Sequence, residues 1–326
     1  TTEIYTLSLH DALPISFMRV ALLNTYDING GAARAMHRLH VGLGRIGITR
    51  TLYVARAWGD DPDMVVVKPD TSDELVDWRR REAEVRGEEE PYESLRGYTT
   101  FHSDLAARAQ LLEKRLSPVD VLNLHWTRGL VDWPTFMAAR HAGQALVWTL
   151  HDQQAITGGC HYAGTCDGFM NACGHCPVLG SDRSDDLSAR VLARKQQALA
   201  SLRAPLHVVT PSRWMATEAG RSRLFADRPI HVVPNGLDTS LFRPVDPAPI
   251  RQRLGILPTE KVVLFIAHLL NDARKGYDLL RTGLEALAVS DGIVLVTVGQ
   301  GKVQAPAGIR TISIGPVHDD DDLVPL

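Results

Sequence analysis

The chain has 326 residues, with 35 Lys and Arg against 38 Asp and Glu, a net charge of -3, and 44% hydrophobic residues. That length predicts about two domains. The near-neutral balance offers no basic field for nucleic acid, and no apolar run approaches the ~20 residues of a membrane span.

Taken in chain order, residues 1–17, "TTEIYTLSLHDALPISF", read as a non-native leader, because Met18 opens "MRVALLNTYDINGG" with an apolar strand directly behind it. A genuine N-terminal extension is the alternative. No basic segment followed by an apolar core reads as a secretory signal, so the expected compartment is cytoplasmic. Continuous apolar runs then recur: "RVALLN", "TLYVA", "DVLNLHW", "ALVWTLH", "LHVVTPS" and "IHVVPNG". Strands buried on both faces have this continuous character. Helical spacing separates some of them, with Ala32, Ala35, Leu39 and Leu43 on one predicted face. A second helix is predicted from an N-cap at Ser184, with Leu187, Val191, Ala198 and Leu202 inward. The run Arg79–Gly97 is the most charged and predicts a solvated helix or a mobile loop.

Strands alternating with helices imply doubly wound parallel sheets, an α/β class. After "PNGLDTSLFRPVDPAPI" the pattern restarts with "KVVLFIAHLL", "GIVLVTVGQG" and "IRTISIGPV". The predicted domains are residues 18–243 and residues 244–326. The second offers three strands where a complete domain of this type has about six. It therefore reads as truncated.

Three places carry polar residues where a parallel sheet binds ligands. Gly30 and Gly31 lie between a strand and a helix, where backbone N–H groups can approach an anion; a tight structural turn explains them equally well. His151 and Asp152 follow "ALVWTL" at the carboxyl end of a strand, the ligand-binding edge of open α/β sheets. Arg274 and Lys275 flank Gly276 at a helix start, where two cations can neutralise a diphosphate that gains charge as a bond breaks. The acids Asp319 to Asp322 read as a helix start rather than a metal site.

All four cysteines fall in "TGGCHYAGTCDGFMNACGHCP", residues 157–177, as Cys160, Cys166, Cys173 and Cys176. In a reducing compartment such a cluster is more often a metal site than a disulfide pair. The closing C-x2-C suits a thiolate pair, and the other two could complete a tetrahedral structural zinc site. Disulfides or free thiols and a redox pair remain the alternatives, and His161 and His175 are substitute ligands. A metal here would hold the loop that leaves the strand bearing His151.

The order of "GGAARAMHRLH", "NLHW", "WTLHDQQAITGGCHY", "CGHCP", "VTPSRWM", "VVPNGLDTSLFRP" and "ARKGYDLL" resembles family 4 glycosyltransferases. Within them it is most similar to bacterial exopolysaccharide enzymes of the colanic acid type. The resemblance implies a GT-B fold, two Rossmann-like domains facing a cleft. It implies a retaining transfer of sugar from a nucleotide-sugar donor to a lipid-linked saccharide acceptor, with peripheral contact at the inner face of a membrane. Carried over by motif, Gly30, Gly31, Arg274 and Lys275 bind the donor diphosphate and His151 lines the reaction centre. Asn235, Gly236 and Asp238 are structural. No metal cofactor is required, since the cations and the helix N-terminus take the charge and the leaving phosphate can accept the acceptor's proton. The family's Glu-x7-Glu motif does not occur before Leu326. A zinc-stabilised binding fragment without activity and a nucleotide-sugar epimerase of the same fold are the alternatives.

Overall fold

A computed structural model describes residues 18–92, 100–287, 292–317 and 320–325. The predicted leader lies outside these residues, as do residues 93–97 of the charged run and Asp319 of the acidic run. Two compact units divide between Gly236 and Leu237, seven residues before the boundary drawn from sequence. Asp238 marks the start of the second unit, its carboxylate accepting the Ser240 backbone N–H at 3.0 Å.

The first unit runs β1 (Arg19–Tyr26), α1 (Gly31–Arg45), β2 (Thr49–Arg56), β3 (Met64–Val66), α2 (Ser72–Glu89), α3 (Ala109–Arg115) and β4 (Val121–Leu124). It continues with α4 (Trp133–Ala138), β5 (Ala145–Thr149), α5 (Leu187–Ser201), β6 (Leu206–Thr210), α6 (Arg213–Arg221) and β7 (Ile230–Val232). The strands form one seven-stranded sheet in the order β3-β2-β1-β4-β5-β6-β7. All six pairings are parallel.

Successive residues of β1 point to opposite faces, and both faces are buried. Val20 and Leu22 pack with Met36 of α1 and Leu52 of β2. Ala21 and Leu23 join the larger core containing Trp133, Phe136, Trp148 and Phe225. Helices on both faces explain why these strands read as continuous apolar runs rather than alternating ones. In α1 the inward face is Ala33, Met36 and His40, one position off the predicted stripe, and Leu39 is exposed. Residues 79–89 of the charged run lie in α2, which buries no residue and is capped by the Thr71 hydroxyl accepting from Glu74 N–H at 3.2 Å.

Helix α5 starts later than predicted. Asp186, not Ser184, is its N-cap, accepting from Ala189 N–H at 3.2 Å. The carboxylate also accepts from the Cys176 backbone N–H at 2.9 Å, which ties the helix start to the cysteine loop. Leu187, Val191 and Ala198 are buried as predicted, but the same face also buries Lys195.

The second unit runs α7 (Ala248–Arg253), β8 (Lys261–Leu269), α8 (Tyr277–Ala286), β9 (Ile293–Gln300), β10 (Arg310–Gly315) and α9 (Asp320–Leu323). Its strands form a parallel sheet in the order β10-β9-β8. Leu295 packs with Tyr277 and Leu284 on one face, and Val294 and Val296 pack with Ile256 on the other. The acidic run does open a helix, as expected for carboxylates near a helix N-terminus.

Candidate active site

In the first sheet, β2 lies on one side of β1 and β4 on the other. The order in which strands are added therefore reverses at β1, and the carboxyl ends of β1 and β4 open a crevice where ligands bind in such folds. The segments leaving β1, β4 and β5 all emerge at this edge.

At the carboxyl end of β1, Thr25 and Asn24 fasten the edge together. Thr25 N–H donates to the Trp126 carbonyl at 2.7 Å, and the Thr25 hydroxyl donates to the Arg128 carbonyl at 2.7 Å. Asn24 Oδ1 accepts from Trp126 N–H at 2.8 Å. Asp27 is buried and accepts from the backbone N–H groups of Trp58 and Gly59 at 2.9 and 2.7 Å. Its second oxygen has no partner among the described residues.

Gly30 then turns the chain into α1 with φ +93°, a conformation that only glycine adopts cheaply. Gly31 is the first helical residue, and no acidic residue occupies the first turn. A Cβ at either position would meet nothing within 4 Å. The unpaired N–H groups of the helix start are thus approachable, as anion binding requires.

Behind β4 and β5 lies a polar network. His151 Nε2 and His125 Nδ1 are 2.9 Å apart, with the rings stacked at 5.2 Å. Asp152 Oδ2 accepts from His161 Nδ1 at 2.6 Å and from Trp126 Nε1 at 2.9 Å, while Oδ1 accepts from Gln154 N–H at 2.9 Å. His161 Nε2 in turn contacts His102 Nδ1 at 2.6 Å. His125, Trp126, Arg128, His151, Asp152 and His161 line one small cavity.

Burial governs the charges here. It drives His151 down to about 4, with Asp152 only partly opposing, His102 down to about 2, and His125 well below the ordinary histidine range. Burial also works against the Asp152 anion, but the bonds from His161, Gln154 and Trp126 outweigh it and hold the carboxyl below its usual value. At neutral pH the site therefore holds neutral His102, His125 and His151 rings around one carboxylate.

The buried nitrogens fix the tautomers. Nε2 of His102 and Nε2 of His125 have no hydrogen-bond partner among the described residues. A buried N–H without an acceptor is costly, so both rings carry their proton on Nδ1. His102 then donates to His161, and His161 donates to Asp152. His125 donates to His151, whose remaining N–H sits on Nδ1.

Sequence reasoning found His151 and Asp152 but missed His125, Trp126 and His102. The visible signal for the first two was "NLHW", a polar pair closing an apolar strand at the same sheet edge.

Arg274 and Lys275 belong to the second unit, in a 3-10 turn (Ala273–Lys275) after β8. Asp272 caps this turn, and its carboxylate takes Arg274 Nε at 2.9 Å and Nη2 at 2.5 Å. Lys275 is exposed. Gly276, at φ +77°, ends the turn and opens α8.

The four cysteines converge. All line one small cavity, together with Phe101, Phe169 and Ser188, and none is in a disulfide. Burial pushes the Cys160 thiol up to about 11 and Cys173 to about 12, and it also raises Cys176. His161 is committed to Asp152, so it does not serve as a substitute ligand in this arrangement. Elsewhere in this unit, His40, Asp61 and Asp63 lie close enough to share an ion. There Arg50 already neutralises Asp63 at 2.9 Å.

Among the described residues no helix is long and apolar enough to cross a membrane.

A family model described as Glycosyltransferase Family 4 matches residues 29–241. The chain is 30% identical over 164 residues to a protein of Escherichia coli strain K12 named as a colanic acid biosynthesis glycosyl transferase, WcaC. That match covers 48% of this chain and 37% of that protein. It is 39% identical over 83 residues to the D-inositol 3-phosphate glycosyltransferase of Segniliparus rotundus, covering 24% of this chain and 18% of that protein. The chain thus matches well under half the length of either relative. Among solved structures, WaaG, a glycosyltransferase involved in lipopolysaccharide biosynthesis, aligns with a TM-score of 0.49 at 15% identity, over 94% of this chain and 71% of that one. With the family model spanning most of the first unit and more than half of the sequence, the chain belongs to glycosyltransferase family 4.

Proposed function

We propose that this protein is a retaining glycosyltransferase of the GT-B kind that moves a sugar from a nucleotide-sugar donor to a saccharide acceptor in cell-surface polysaccharide synthesis. The observation that carries this reading is one sheet edge. It joins an approachable helix start at Gly30–Gly31 to a neutral histidine pair and a held carboxylate at His125, His151 and Asp152.

The chemistry follows from those groups. Breaking a glycosyl–phosphate bond leaves positive charge on the sugar and negative charge on the departing diphosphate. The α1 N-terminus supplies N–H donors for the diphosphate. Lys275 and Arg274, in the second unit, are cations of the kind that take up a departing diphosphate's charge without a divalent ion. Arg274 shares its guanidinium with Asp272, so Lys275 is the stronger contributor. His151, neutral and donating from Nδ1, fixes a hydroxyl of the transferred sugar. The leaving phosphate accepts the acceptor's proton on the same face, which retains the anomeric configuration.

The acceptor side is aromatic. Trp58 is 56% exposed and packs edge-on against Tyr26 at 5.3 Å, and Tyr26 lies 5.7 Å from Trp126. Such a ledge offers an apolar face and polar tips to a sugar ring. The acceptor is lipid-linked in this reading, which brings the protein to the inner face of a membrane.

The reading is tested by incubating the protein with a panel of nucleotide sugars, with and without lipid-linked saccharide, and following nucleoside diphosphate release and the product anomer by NMR. Acceptor-dependent consumption of one donor with retention supports it. An inverted product, or no donor consumed, rejects it. Release of an epimer or free sugar without acceptor favours the epimerase reading.

A further inference from the structure

Lys195 raises a question that the transferase reading does not answer. Its side chain is fully buried, on the inward face of α5 where helical spacing calls for an apolar residue. Its Nζ donates to the carbonyls of Gln154 at 2.5 Å and Thr157 at 3.0 Å and lies 4.7 Å from the Trp133 ring centre. No carboxylate pairs with it among the described ion pairs. A buried ammonium without a counter-charge is costly. The charged groups that act on it are Asp104 first, then Cys160, Cys173 and Asp152, and the two carboxylates are already held by Arg194 and His161.

The four cysteines, none in a disulfide, line one small cavity with Gly158, Gly174 and Ser188, and Asp186 fixes the Cys176 backbone N–H at 2.9 Å. Between Cys173 and Cys176 the chain makes a tight turn through Gly174 at φ +124° and His175 at φ +47°. Among the described residues His175 is the only non-glycine with a positive φ. The turn is held by Gly174 N–H on Ser188 Oγ at 3.1 Å and His175 N–H on the Arg183 carbonyl at 2.7 Å. Strain of this sort persists where the surroundings enforce it.

We propose that Cys160, Cys166, Cys173 and Cys176 form a tetrathiolate site for one zinc ion, with Lys195 as its buried counter-charge. Binding Zn²⁺ displaces four thiol protons to solvent and leaves a site of charge minus two, which the Lys195 ammonium partly offsets. No three of the sulfurs lie within 4.8 Å of one another among the described residues. A tetrahedral zinc needs them about 3.8 Å apart, given Zn–S near 2.3 Å. The sulfurs must therefore draw together by about 1 Å or more on loading. This inference does not depend on the transferase reading.

The test is metal analysis of the full chain purified without added metal, followed by Co²⁺ replacement. The expected result is one zinc per chain and, with cobalt, intense sulfur-to-metal charge-transfer bands of a four-thiolate tetrahedral site. Cys166→Ser should weaken those bands and lower zinc retention against a chelator at least tenfold. Lys195→Gln keeps a donor for the two carbonyls but removes the charge, and it should speed zinc loss about tenfold. Metal-free protein whose four thiols react freely in the native state would overturn the site, as would disulfides or an iron–sulfur absorption spectrum. Equal zinc retention in folded Lys195→Gln would remove the counter-charge role. The cobalt spectrum of the unaltered protein decides the site whether or not either variant folds.

Discussion

His125 Nδ1 lies 2.9 Å from His151 Nε2, and the other nitrogen of His125 has no hydrogen-bond partner among the described residues. That pairing leaves His151 with its proton on Nδ1. His125 touches no substrate in this reading and acts by orienting His151. His125→Gln should lower kcat about tenfold with little change in donor KM, because a glutamine can restore only part of the orientation. His125→Phe, which cannot donate, should lower kcat further. Steady-state kinetics on both variants checks this, and equal kcat values would remove the positioning role.

Asp152 is the hub of a second chain, from His102 through His161. Asp152→Asn removes the charge that both His161 and Trp126 donate to. The variant should lose about 2–3 kcal/mol of first-unit stability, as expected when charged hydrogen bonds are broken in a buried setting. Urea unfolding followed by tryptophan fluorescence measures it; an unchanged midpoint would contradict the network.

Acid should destabilise the fold through its buried histidines. His102, His125 and His151 have folded values pushed below 6.5. The unfolded chain takes up these protons as pH drops below 6.5, while the folded chain stays neutral until about 4 for His151. Stability is therefore full above about pH 6.5 and falls as pH drops from there toward 4. At pH 5.5 the loss is about 1 kcal/mol per ring. Calorimetric Tm values at pH 7.5 and 5.5 should fall in that order, and an unchanged or higher Tm at pH 5.5 would contradict the assignment.

Gly31 separates fold from function. The space around it is open, so Gly31→Glu should leave Tm unchanged or slightly raised, since a carboxylate suits a helix start. The same carboxylate would occupy the diphosphate's place and repel it. Titration calorimetry with the nucleoside diphosphate of the preferred donor should show binding weakened at least a hundredfold. Undiminished affinity would place the diphosphate elsewhere.

The Lys275 side chain is exposed, so Lys275→Ala should keep Tm while lowering turnover about a hundredfold. Unchanged kinetics would remove it from the diphosphate site.

Much of the sheet was legible because its strands are buried on both faces: "RVALLN" and "ALVWTLH" have no other economical reading. The short β3, with only three residues, was not, since an apolar triplet beside Pro62 and Asp63 carries no period. Helix α1 was placed but its inward stripe was misjudged, because His40 is buried and Leu39 is not. The site was half visible. His151 and Asp152 stood at a strand end, whereas His102 is brought to the network beside an antiparallel bridge of Phe101 with Cys160, a contact 59 residues apart that no local pattern announces. Lys195 was hidden for the opposite reason: a lysine among leucines on a helix reads as surface until its neighbours are known.

The central claim is that the carboxyl edge of the seven-stranded sheet performs sugar transfer through His151. The direct measurement is the rate of nucleoside diphosphate release with donor and acceptor present, compared between the unaltered protein and His151→Ala at equal Tm. The account predicts a fall of at least a hundredfold in kcat, with the diphosphate still bound. Equal rates in the two proteins would contradict it.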